Sequence, residues 1–241
     1  MEPRLSIVVP AYNEAARIVP TLQSARAHLD RRGLSFELIV VADGTDATRA
    51  RASEWASGDP RVSVTGSPER RGKGRGVREG VARSRGAIVG FVDADDKTPI
   101  EEIDRLLPFF EQGYDLVFGS RAVEGARVEV RQKLYRRLGS RAFGLFMHLT
   151  VGLWGVRDTQ CGFKFLRGDL ARDLFARLTI DGYMFDVELL YLAQRAGLKL
   201  REVGVRWRDD GDSRLDLVGG NWRNFKDVLR IRFGARDARR T

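Results

Sequence analysis

The chain has 241 residues, 43% of them hydrophobic and 31% charged, which suits one large α/β domain or two small ones. Its single cysteine, Cys161, excludes an internal disulfide and fits a reducing compartment, and no stretch reaches the roughly 20 apolar residues that span a bilayer. The net charge is +9 and only six of the 42 basic residues are lysines, an arginine richness that suits phosphate recognition and admits phosphorylated substrates, anionic membrane or nucleic acid as partners.

Met1 to Arg4 leads, without a signal peptide, into an apolar strand from Leu5 to Ala11. The strand ends in Pro10-Ala11-Tyr12-Asn13-Glu14, where Asn13 is placed to cap a helix reaching about Leu29, with Pro20 interrupting its pattern. Phe36 to Ala42 reads as a second buried strand, followed by Asp43 and by Asp46 as the cap of a helix over Ala47 to Ala56. After a short third strand, Val62 to Thr65, comes Arg70-Arg71-Gly72-Lys73-Gly74-Arg75-Gly76. This is not a P-loop: Gly66 lies one residue too far from Gly72-Lys73, and Gly74 stands where Ser or Thr would hold magnesium. Nor does a Gly-x-Gly-x-x-Gly follow the first strand, which argues against a dinucleotide fold. The glycines with Arg71, Lys73 and Arg75 either line an anionic ligand or form a flexible basic loop ahead of a helix from Val77 to Ser84.

The central stretch is Ile88 to Glu101. Ile88 to Val92 is short, apolar and rich in β-branched residues, as a buried strand should be. It stops at Asp93-Ala94-Asp95-Asp96, and Thr98, Pro99 and Glu101 then read as a capping box opening a helix to Glu111. Carboxylates so close repel one another unless a cation lies among them, and hard oxygen ligands suit Mg2+ or Mn2+ completed by substrate phosphates. The plainer alternative is a solvated acidic turn.

Asp115 to Phe118 is a further strand, ending in Gly119-Ser120-Arg121. From Arg127 the chain is strongly basic, with Arg131, Lys133, Arg136, Arg137 and Arg141 interleaved at roughly helical spacing with Val130, Leu134, Leu138, Phe143 and Phe146. A basic amphipathic helix running to Leu149 either lies in a membrane interface or packs its apolar stripe on the sheet. Arg157 to Lys164 is a polar turn before a strand at Phe165-Leu166, with Cys161 as a packing residue, since neither a metal nor a thiol mechanism has histidine partners nearby. A helix from Phe185 to Ala196 places Asp186 and Glu188 on different faces, one toward substrate and one toward solvent. Leu200 to Val205 is a late strand, Arg206 to Arg214 a polar loop, and Asn221 to Phe233 a second basic amphipathic helix with Trp222, Phe225, Leu229 and Phe233 along one face.

Strands this uniformly apolar, alternating with helices, predict a mostly parallel sheet covered on both sides. Asn13/Glu14, Asp43 and Asp93/Asp95 would then converge at the carboxyl rim, where open α/β sheets bind nucleotides.

In that order, Val-Val-Pro-Ala-Tyr-Asn-Glu, Val-Ala-Asp-Gly-Thr-x-x-Thr, Arg-Gly-Lys-Gly, Asp-Ala-Asp, Gly-Ser-Arg and Asp-Thr-Gln-Cys-Gly-Phe-Lys resemble family-2 glycosyltransferases of the GT-A fold. Over about residues 4 to 233 the chain is most similar to the dolichyl-phosphate glucose and mannose synthases, and Asp158 to Lys164 with Phe185 to Leu190 favour the glucose branch. The resemblance implies an α/β GT-A domain, a mostly parallel sheet flanked by helices with amphipathic interface helices. Residues 1–126 would be its nucleotide-sugar half and residues 127–241 its acceptor half. It implies a nucleotide sugar (UDP-glucose or GDP-mannose), Mg2+ or Mn2+, and a dolichyl or other polyprenyl phosphate acceptor met peripherally at the cytoplasmic face of a membrane. Whether a membrane subunit anchors the chain stays open. Pro10, Tyr12, Glu14 and Asp43 would hold the nucleoside, Asp93 and Asp95 the metal and diphosphate, and Arg121 the reacting phosphate. Lys73 and Arg214 complete the donor side; Arg131, Arg141, Gln160, Asp186 and Glu188 are the acceptor-side candidates.

Two departures stand out. The family's paired Asp-Asp-Gly-Ser has Ala42 in place of its first Asp, and a metal-binding Gln of the mannose branch is replaced by Lys97, which cannot ligate metal while charged. The chemistry fits the residues even so: a phosphate monoester is already ionised, and arginines and a metal serve to bring two anions together and to stabilise the leaving diphosphate. The rivals are a transferase of the same fold with a soluble phosphorylated acceptor and a basic nucleic-acid-binding protein. The second lacks a stacking aromatic platform and leaves the acidic strand ends unexplained.

Overall fold

The computed structural model describes residues 2–129, 144–208 and 219–234. Among them, seven strands form one sheet in the order β3-β2-β1-β4-β7-β5-β8. These are β1 (Leu5–Tyr12), β2 (Phe36–Asp43), β3 (Val62–Thr65), β4 (Ile88–Val92), β5 (Leu116–Ser120), β7 (Phe163–Arg167) and β8 (Leu200–Gly204). Two short strands, β6 (Arg127–Glu129) and β9 (Arg206–Arg208), pair parallel to each other outside it. The large sheet is parallel except for β7, which runs antiparallel to both β4 and β5. Insertion of β7 carries the Asp158 to Lys164 motif to the strand that ends in Asp93.

The helices are α1 (Ile18–Arg31), α2 (Thr48–Ala56), α3 (Lys73–Arg83), α4 (Ile103–Glu111), α5 (residues 144–151), α6 (Gly168–Arg177), α7 (Phe185–Arg195) and α8 (Gly219–Gly234). Alternation along the strands divides the core in two. Ile7 and Val9 of β1 and Leu38 and Val40 of β2 face α1 and α4, against Ile18, Leu22, Ile103 and Phe110. Val8, Ile39 and Val41 face the other way, toward Val77 of α3, Phe175 of α6 and Phe185 of α7. The expected two-sided α/β sheet is therefore the one present.

Local structure departs from the sequence reading in several places. Helix α1 starts at Ile18, not at Asn13; Asn13 takes a left-handed φ of 54°, and Pro20 falls in the first turn, where no intrahelical N–H is needed. The basic glycine stretch is not a loop, because α3 begins at Lys73 itself. Gly72 ahead of it has φ 102°, and any Cβ there would run into the carbonyl of Asp181. The capping box at Thr98 does not form: Pro99 leads into a 3-10 turn, Ile100–Glu102, with no side-chain cap. Arg127 to Glu129 is strand β6 rather than the start of a basic helix, and the rest of that expected helix up to residue 143 lies outside the described residues. Arg206 to Arg208, expected in a polar loop, is strand β9 paired with β6.

Candidate active site

The carboxyl ends of β1, β2 and β4 meet the amino end of α3. Parallel register sets Tyr12 beside Asp43. Asp43 is buried and its carboxylate accepts from the Ser67 backbone N–H (3.0 Å) and from Arg71 Nη2 (2.8 Å). Arg71 also pairs with Glu79 at 2.9 Å, and the neighbouring Arg70 guanidinium lies 4.7 Å from the Tyr12 ring centroid. Tyr12, Asp43, Arg70 and Arg71 thus form one face suited to a flat, polar ring. Pro10 lies in the same strand end. Glu14 pairs with Arg17 at 2.8 Å and donates its N–H to Thr48 Oγ1, so it fastens α1 to α2. Asp46 accepts from the Thr48 N–H (3.0 Å) and hydroxyl (2.6 Å) just ahead of α2, but the N-cap position is Ala47 and no side chain caps the helix there.

At the end of β4 opposite charges alternate. Lys73 Nζ lies 2.5 Å from Asp93 Oδ1, and Lys97 Nζ 3.6 Å from Asp95 Oδ2. Behind them Lys164, fully buried, donates to Asp186 Oδ1 (2.7 Å) and to the Cys161 carbonyl (2.6 Å). Burial pushes the Asp95 carboxyl up, and the neighbouring Asp93 charge adds to the shift. Asp186 is likewise raised by burial, against the pull of Lys164 and Lys73. Burial opposes the charge on Lys73, but Asp93, Asp186 and Asp95 outweigh it and hold the ammonium above the ordinary lysine range. Gly162 closes this corner from β7's side, where any Cβ would overlap the Asp93 carboxylate.

The carboxyl end of β5, across β7 from β4, leads into Arg121. Its backbone N–H, Nε and Nη2 all donate to Asp158, at 2.9, 2.7 and 2.9 Å. Burial alone would raise Asp158, yet these bonds from Arg121 keep it below the usual carboxylate range. The Trp207 ring lies between two cations, with the Arg121 guanidinium 5.2 Å and the Lys97 ammonium 6.0 Å from its centroid. Arg208 N–H donates to the Lys97 carbonyl (2.9 Å), tying β9 to the acidic turn.

The remaining candidates divide clearly. Asp186 belongs to the charged cluster. Glu188 does not: its carboxylate accepts from the Thr179 N–H and hydroxyl and from the Ile180 N–H, shaping the segment that abuts α3. Neither of the two acids faces solvent, contrary to the expectation for one of them, because α7 is buried along most of its length. Gln160 is exposed, with its N–H donated to Asp158. Cys161 is the packing residue expected, its thiol pushed up to about 12 by burial. Arg131, Arg141 and Arg214 lie outside the described residues. Sequence reasoning missed Arg70, Asp158, Gly162, Lys164 and Trp207 as site-builders; the run Asp158 to Lys164 was visible, but the antiparallel strand that aims it at Asp93 was not.

Asp93 and Asp95 fit a divalent cation that brings other ligands with it. Two carboxylates two residues apart at a strand end offer the hard oxygen donors that such ions take. Among the described residues no group of three or more His, Cys, Asp or Glu could hold a metal on its own, so oxygens of water or of a bound ligand would have to complete the shell.

Known proteins share this architecture. Residues 6–175 match the glycosyl transferase family 2. The chain is 37% identical over 227 residues to a dolichyl-phosphate beta-glucosyltransferase of Trichomonas vaginalis, spanning 89% of this chain and 66% of that protein. With the Dictyostelium discoideum dolichyl-phosphate beta-glucosyltransferase the identity is 32% over 242 residues, spanning 95% of this chain and 74% of that one. The crystal structure of Mycobacterium tuberculosis glucosyl-3-phosphoglycerate synthase, in complex with Mn2+, UDP-glucose and phosphoglyceric acid, matches with a TM-score of 0.71 at 26% identity, over 96% of this chain and 80% of that chain.

Proposed function

The chain belongs to glycosyl transferase family 2, and we propose that it moves glucose from UDP-glucose onto dolichyl or another polyprenyl phosphate. The observation that carries this reading is the likeness to dolichyl-phosphate beta-glucosyltransferases along almost the whole chain, at up to 37% identity. Mannose from GDP-mannose is the next choice of donor.

In this reading the nucleoside lies against Pro10, Tyr12, Asp43 and Arg71, and Lys73 at the head of α3 meets the diphosphate. Asp93 and Asp95 would hold Mg2+ or Mn2+, which when bound neutralises charge developing on the leaving diphosphate. The acceptor phosphate needs no general base, since it is already an anion. It needs relief from repulsion, and Arg121, locked in orientation by Asp158, is the fixed cation for it. Attack from the face opposite the diphosphate would invert an α-linked donor to a β-linked lipid phosphate sugar. Residues 1–126 would thus serve mainly the donor and residues 127–241 the acceptor.

Placement at the cytoplasmic face of a membrane is part of the proposal. No helix among the described residues is long and apolar enough to cross a bilayer. Phe146 of α5 stacks on Phe225 of α8 with centroids 4.7 Å apart. Leu145 and Leu149 of α5, Trp154 just after it, and Trp222 and Phe233 of α8 are exposed, and α8 also exposes Arg223, Lys226 and Arg230. Exposed apolar side chains on a helix that also exposes cations, as α8 does, suit peripheral contact with anionic lipid.

The test is a donor screen with polyprenyl phosphate in mixed micelles. UDP-glucose should give a butanol-extractable glycolipid, and EDTA should abolish its formation. Equal turnover in EDTA would remove the metal from the scheme, and lipid labelled only from GDP-mannose would reassign the donor.

A second reading, transfer to a soluble phosphorylated acid, is favoured by the structural likeness to a phosphoglycerate-dependent synthase. It differs only in the acceptor.

A further inference from the structure

We propose that Lys73 and Lys97 are built-in counter-ions of Asp93 and Asp95, and that a divalent cation therefore enters this site together with a nucleotide diphosphate rather than before it. The two ammonium groups lie 2.5 and 3.6 Å from the two carboxylates. Neither lysine is a loosely solvated surface group: their side chains are 18% and 14% exposed. Lys73 is held between the rings of Phe91 and Phe185, with centroids 5.9 and 6.0 Å away, and Lys97 faces Trp207.

The consequence is electrostatic competition. In the free protein each carboxylate already has a cation, so a metal ion must displace the ammonium groups or remain beside them, and like charges this close repel strongly where water is partly excluded. Asp93 has little freedom to turn away, because Gly162 lies directly against its carboxylate. Asp186 gives Lys73 a second anionic neighbour, although that carboxylate already accepts from Lys164. A diphosphate changes the balance by supplying new anionic partners for the lysines and further oxygen ligands for the metal. Lys97 is the telling residue, since its backbone sits two positions beyond Asp95 and its carbonyl is fixed by Arg208.

The co-entry half of this inference rests on the nucleotide-sugar reading; the counter-ion half does not. Mn2+ binding to the intact protein, followed by the spin-resonance signal of free Mn2+, separates them. Without nucleotide, Lys97→Met and Lys73→Met should each bind Mn2+ at least about tenfold more tightly than wild type, which is about 1.4 kcal/mol. UDP should tighten Mn2+ binding to wild type by a similar factor, and should do less for Lys97→Met. Circular dichroism melts identify a variant that has lost its fold, and the two lysines lie on different elements, so one variant suffices for the test. Unchanged Mn2+ affinity in a folded Lys97→Met protein without nucleotide overturns the counter-ion role. Tightening in the variant with no UDP effect on wild type keeps that role and overturns the nucleotide reading.

Discussion

The Lys164–Asp186 pair offers the most quantitative test of how the site is built. Lys164 has no exposed surface and its Nζ lies 2.7 Å from Asp186 Oδ1. At 2.7 Å and an effective dielectric of about 20 the attraction is about 6 kcal/mol, much of it offset by the cost of taking both charges out of water. Asp186→Asn keeps the shape and one hydrogen-bond acceptor but removes the anion. Breaking such a pair from one side costs about 3–5 kcal/mol. Deprotonation sets a ceiling: neutralising an ordinary lysine, with a pKa of about 10.4, costs about 4.6 kcal/mol at pH 7 and about 2 kcal/mol at pH 9. The destabilisation should therefore shrink as pH rises, since the stranded amine sheds its proton more cheaply. Urea unfolding of wild type and variant at the two pH values measures this. The double variant Lys164→Met/Asp186→Asn should recover most of the stability, having no unpaired charge left. A loss below about 1 kcal/mol at pH 7, or one that is the same at pH 9, would refute the reasoning.

Three other outcomes follow from the geometry. Gly162→Ala places a methyl group on the Asp93 carboxylate, so turnover should fall at least about tenfold in protein that circular dichroism shows to be folded. Arg121→Lys keeps a charge but loses the fork that holds Asp158; kcat/KM for the acceptor should drop about tenfold or more, with UDP affinity nearly unchanged, as titration calorimetry can check. Hydrogen bonding from Arg61 holds the Asp59 carboxyl down at about 2 from an ordinary 3.8. The stability gap between wild type and Asp59→Asn should be full above pH 3.8 and close as the pH falls through about 2, as acid-titrated melts would reveal.

The strands were legible because a strand buried on both faces has to be continuously apolar, as Leu5 to Ala11, Phe36 to Ala42 and Ile88 to Val92 are. Their acidic ends gave the rim, and with it Asp43, Asp93 and Asp95. Helix starts were less legible. Asn13 and Thr98 have the chemistry of caps, but tertiary packing uses Asn13 in a left-handed turn and leaves Thr98 beside Cys161. Pairings across the sheet could not be read at all: nothing in the spacing of Arg121 and Asp158, or of Lys164 and Asp186, says that β7 runs antiparallel between β4 and β5. Glu188 shows the cost of that gap, because an acid next to a site residue is here committed to backbone N–H groups of its own loop.

The acceptor is the centre of the account, and a competition experiment addresses it directly. Purified protein is given radiolabelled UDP-glucose with Mn2+ and equal concentrations of polyprenyl phosphate in anionic vesicles and of 3-phosphoglycerate in solution. Label is then counted in the butanol and aqueous phases, and the lipid product is analysed for a β-linked glucosyl phosphate. The account predicts label predominantly in the lipid, lost when polyprenyl phosphate is omitted. Label accumulating on phosphoglycerate, with none in the lipid, would contradict it.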